Sequence, residues 1–98
     1  MKLLELFEAV KEENLNKDQL ENYYKELSEL LAEMHIQLGV IKKKKGMYML
    51  PNPELTAIAM KRKWDGTDEG QRELELKSYI MATGQILRSL KSRLYNQY

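Results

Sequence analysis

The 98-residue sequence contains no cysteine. That absence removes a disulfide framework, a thiolate metal site and a cysteine nucleophile together, and it fits a reducing compartment. Histidine occurs once, at His35, with no zinc-type spacing around it, so the side chain reads as a flanking residue of a helix. The only prolines, Pro51 and Pro53, fall in one short stretch, which leaves the rest of the chain free for long helices. No apolar run approaches the ~20 residues needed to cross a bilayer. The opening Met1-Lys2-Leu3-Leu4-Glu5 meets an acid too early for a secretory signal. A soluble cytoplasmic protein with no membrane partner is the expectation.

What the chain has is helical periodicity. From Leu20 the apolar residues step by four and three through Tyr24, Leu27, Leu31, Met34, Leu38 and Ile41, the stripe of a long amphipathic helix built to lie on another. A second seam of the same period runs Leu76, Ile80, Thr83, Leu87, Leu90, Leu94, widened by Tyr79 and Ile86. Leu3, Leu6, Phe7 and Val10 make a shorter stripe. Punctuation sets the boundaries: Asn16 as an N-cap, Gly46 as a C-cap, Asn52-Pro53 opening a short helix with Leu55, Ile58 and Ala59 inward, and Thr67 or Asp68 capping the last. Gly84 offers room for a helix to approach closely. Helices are predicted over 2–13, 17–45, 53–64 and 68–96 of a single domain. The fold class is all-α, an antiparallel hairpin of two long helices with two short ones and coiled-coil-like seams. Rods of this length have little interior, so assembly as a homo-oligomer is expected, with Leu76, Ile80, Thr83, Leu87, Leu90 and Leu94 as its interface.

The net charge of +1 conceals an asymmetry. Residues 1–36 carry four lysines against nine acids, a balance of −5; residues 37–98 carry twelve lysines and arginines against six acids, a balance of +6. Such polarity suits either pairing of copies or an anionic partner at the basic end. Lys42, Lys43, Lys44 and Lys45, then Lys61, Arg62, Lys63 and Trp64, then Arg88, Lys91 and Arg93 provide cations to track phosphates and an aromatic to stack on a base, the composition of a single-stranded nucleic-acid binder. The same residues also read as helix-end charges and a solvated face. Glu69 and Glu73 are four apart but lack a carboxylate–histidine partner motif, so a solvated first turn is expected. Asp65 to Gly70 lacks both calcium-loop periodicity and a phosphate-loop Gly-Lys-Ser/Thr. No nucleophile stands beside a base, and neither catalysis nor a cofactor is expected.

The order of these features resembles the recombination mediator proteins of T-even-like phages, the UvsY type. Gln37 to Lys45 is similar to that family's lysine-rich aliphatic stretch, Met60-Lys61 to the entry of its final region, and Leu87 to Arg93 to the close of its assembly helix; the similarity spans residues 25–95. The family's central Lys-Ala-Arg-Leu element has no equivalent between Ile41 and Lys45. The resemblance implies a non-enzymatic homo-oligomer in the host cytoplasm that binds single-stranded DNA along its basic residues. It also implies two protein partners, a recombinase whose loading it assists and a single-strand-binding protein. The rival expectation is a small helical interaction protein, an inhibitor that docks on another protein or a sponge for an anionic nucleotide.

Overall fold

The computed structural model describes residues 2–49 and 56–97, which form four helices: α1 (Lys2–Ala9), α2 (Lys17–Tyr48), α3 (Ala57–Asp65) and α4 (Asp68–Gln97). The two long helices lie antiparallel. Lys44, near the end of α2, pairs with Glu69 in the first turn of α4, whereas Lys17 and Tyr24, near the start of α2, share a surface groove with Lys91 and Tyr95 at the end of α4. The molecule is a rod of 59 × 21 × 17 Å.

Seam residues account for the pairing. Leu20, Leu27, Met34, Leu38 and Ile41 of α2 and Leu76, Thr83, Leu87 and Leu90 of α4 are buried, with Tyr24, Leu31, Ile80 and Leu94 half-buried beside them. Leu3, Leu6, Val10 and Leu15 extend this core under the first helix and its loop. Burial of each large aliphatic side chain is worth about 1.5–3 kcal/mol, so the hairpin is held by its two stripes more than by charge.

Local chemistry fixes the ends. The Asn16 side chain accepts from the Gln19 N–H at 2.8 Å while the Gln19 side chain accepts from the Asn16 N–H at 2.9 Å, a reciprocal cap on α2. Thr67 caps α4: its Oγ1 accepts from the Gly70 N–H at 2.9 Å and donates to the Trp64 carbonyl at 2.6 Å. Gly70 is required at this junction, because a Cβ there would be driven into the Trp64 carbonyl group.

Several predicted boundaries shift. α1 ends at Ala9, four residues short of 13, and Arg93 takes up the carbonyls beyond it. α2 runs through Gly46 to Tyr48 with Met49 as its cap, because a single glycine costs a long helix only about 1 kcal/mol. α3 begins at Ala57, with the Thr56 hydroxyl accepting from the Ala59 N–H at 3.1 Å; the expected start at Asn52-Pro53 and the inward Leu55 lie outside the described residues. Ile58 is exposed and Met60 and Trp64 are the inward residues of α3, since the frame set by Thr56 turns that face to α4. Gly84 has open space around its Cβ position, so none of the described helices makes the close approach it would allow.

Candidate nucleic-acid interface

The basic end of the rod is built around one buried acid. Glu73 and Trp64 are each only 1% exposed. The Glu73 Oε1 atom accepts from the Trp64 Nε1–H at 3.2 Å and from the Lys45 Nζ at 3.1 Å, so one carboxylate ties α2, α3 and α4 together. Its Oε2 is buried without a hydrogen-bond partner among the described residues, with the Lys77 ammonium 3.9 Å away. Burial by itself would raise the Glu73 pKa; the hydrogen bonds from Lys45 and Trp64, with the charges of Lys45 and Lys77, outweigh it and hold the carboxyl below its ordinary value. The expectation of a solvated Glu69–Glu73 turn therefore holds for Glu69, which pairs on the surface with Lys44 at 3.2 Å, and fails for Glu73. A signal for this was present: Glu73 lies seven residues before Ile80, in register with the α4 seam.

This junction divides the cations assigned to nucleic acid. Lys44 and Lys45 are committed to Glu69 and Glu73. Lys42 and Lys43 on α2 and Lys61, Arg62 and Lys63 on α3 are exposed and have no ion-pair partner among the described residues. Both groups belong to the same end of the rod, because Trp64, which follows Lys63, is tied to Lys45 through Glu73. Trp64 itself is lost as a stacking residue: its indole is spent in the core and against Tyr48, ring centroids 5.5 Å apart. Tyr48 keeps an exposed edge there.

Arg88, Lys91 and Arg93 do not join this cluster. Some nineteen residues of helix separate Glu69 from Arg88, about 28 Å at 1.5 Å per residue, so they lie toward the opposite end. Lys91 sits 5.9 Å from the centroid of the exposed Tyr95 ring. Arg93 is structural: its guanidinium donates to the Val10 and Glu12 carbonyls at 2.9 Å each, capping the C-terminal end of α1 from eighty residues away. It lines a groove of about 870 Å³ between α1 and α4 with Leu4, Phe7 and Ile86, with Lys11, and with the acids Glu8, Glu12 and Glu13. Of the expected assembly residues, Leu76, Thr83, Leu87 and Leu90 are buried within the single chain, and Ile80 and Leu94 are half-buried against the same core.

No group of three or more histidine, aspartate or glutamate residues able to hold a metal ion occurs among the described residues, and no helix among them is long and apolar enough to cross a membrane. Comparison with protein-family models, curated proteins and solved structures gives no match.

Proposed function

We propose that the end of the rod carrying Lys42, Lys43, Lys61, Arg62 and Lys63 binds the phosphate backbone of single-stranded DNA without sequence preference, as an accessory protein that assists a recombinase. The observation that carries the binding is the set of five exposed cations at one end with no ion-pair partner among the described residues, beside the exposed edge of Tyr48. Cations so placed exchange condensed counterions for protein contact, and an aromatic edge accepts any base. The choice of single-stranded DNA and the mediator role follow the resemblance of residues 25–95 to the UvsY type.

A second reading is favoured by the division of the cations. With Arg88 and Lys91 about 22 and 27 Å along α4 from Glu73, where Trp64 anchors the α3 cluster, a compact anion is held by one end only, as a nucleotide sponge requires. Fluorescence anisotropy of labelled single strands of increasing length, at two salt concentrations, separates the two. Mediator binding tightens with strand length and weakens steeply with salt, whereas a sponge saturates on a dinucleotide. Replacing Lys61, Arg62 and Lys63 together with alanine is expected to weaken binding and to reduce the salt slope by about 2, at ~0.7 per phosphate contact, with the helical circular dichroism unchanged. Unaltered affinity would remove this end of the rod as the site.

A further inference from the structure

We propose that the outward face of α2 is a self-association surface on which a second copy of the chain lies antiparallel, with the two-fold axis midway between Ile36 and Val40, level with position 38. The face is a stripe in its own right. Glu29, Glu33, Ile36, Val40, Lys43 and Met47 step by four and three, and at about 100° per residue they fall within about 80° of one another, opposite the buried Leu27–Met34–Leu38–Ile41 seam. All six are exposed, the apolar members strongly so: Ile36 69%, Val40 53% and Met47 69%. None of the other described helices covers them.

The occupant follows from the order of charges along the stripe. Acids occupy its N-terminal end, aliphatic residues its centre and a lysine its C-terminal part, so the stripe is complementary to itself when reversed. Pairing each residue with the one equidistant from position 38 sets Ile36 against the partner's Val40, Glu33 against the partner's Lys43, and the methylenes of Glu29 against the partner's Met47, each contact made twice. Parallel pairing would oppose Glu33 to its own copy and Lys43 to its own copy. The outward face of α4, with exposed Leu74 and Met81, lacks this property: the same reversal brings the two Lys77 side chains together at the axis. Two helix strips about 27 Å long and ~10 Å wide present on the order of 500 Å² together, below the ~1,000 Å² of a stable specific interface, so the dimer is a weak, reversible one. The α4 seam takes no part, and the fold of each chain is complete without its partner. Lys42, Lys61, Arg62 and Lys63 stay outside the contact, while Lys43 is common to both surfaces, so self-association withdraws one of the five cations from DNA binding.

The test is sedimentation equilibrium of the full chain from about 5 to about 500 µM, a range that spans a micromolar dissociation constant. A monomer–dimer equilibrium is expected. Val40→Glu sets a carboxylate against the partner's Ile36 and should leave only monomer, with helical circular dichroism retained because the site is exposed. Glu33→Lys and Lys43→Glu each oppose like charges and should weaken the dimer at least tenfold, and the double variant, which restores opposite charges, should return to near the wild-type constant. A wild-type chain that stays monomeric throughout, a double variant no tighter than the singles, or a Val40→Glu chain that still dimerises while Met81→Glu does not, would each overturn the proposal.

Discussion

Removing the Glu73 carboxylate should unfasten the basic end of the rod. In Glu73→Ala the Trp64 indole N–H, buried and bonded at 3.2 Å, loses its acceptor, and the Lys45 ammonium, on a side chain only 26% exposed, loses the partner 3.1 Å away. An unsatisfied buried donor costs about 1–3 kcal/mol and a half-buried charge without its pair a similar amount. Against these stands the release of a carboxylate that was itself desolvated and had one oxygen without a hydrogen bond. The net loss is about 2–4 kcal/mol, which for a domain of this size lowers the melting temperature by about 10–25 °C. Glu73→Gln keeps an oxygen for the indole and loses only the charge, for about 1–2 kcal/mol. Trp64 is the only tryptophan, so its emission reports this junction directly, and it should shift to the red in the alanine variant more than in the glutamine one. Acid adds a second reading. Because the folded state lowers the Glu73 pKa, its ionisation stabilises the fold above the ordinary glutamate range, and that contribution is lost as the pH falls through the lowered value. The stability gap between wild type and Glu73→Gln should therefore close on acidification. A gap that widens, or variants melting within about 2 °C of wild type, would refute the account.

Two other sites give independent expectations. Arg93→Ala removes two charge-assisted hydrogen bonds to the Val10 and Glu12 carbonyls and should destabilise the chain by about 2 kcal/mol. Faster amide hydrogen exchange concentrated in α1 would be the signature, and Arg93→Lys should recover less than half of the loss because an ammonium lacks the guanidinium fork. Thr83→Val should do the opposite. The Thr83 hydroxyl is fully buried with no hydrogen-bond partner among the described residues, so replacing it by a methyl of similar size should raise stability by about 1 kcal/mol in urea unfolding, with the slope unchanged.

The sequence by itself determined the helical class, the antiparallel hairpin and its buried stripes. Periodicity is a local property: residues four and three apart share a face whatever lies opposite, and two stripes of equal period in one chain have each other to cover them. The cap at Asn16 was legible for the same reason, since a side chain and an N–H three residues on meet within a single turn, and that at the last helix was narrowed to Thr67 or Asp68, of which the structure uses Thr67. Tertiary structure decided which charges were free. Lys42 to Lys45 are four consecutive residues of one kind, yet α4 brings Glu69 and Glu73 to the last two and leaves the first two exposed. Lys61, Arg62, Lys63 and Trp64 form one continuous string, yet packing on α4 buries only the tryptophan. Arg93 looked like a phosphate ligand until the end of α1, eighty residues earlier, came within reach of its guanidinium. Composition sets how many cations a chain carries; the long-range approach of carboxylates and carbonyls, which no local pattern encodes, sets which of them remain for a partner.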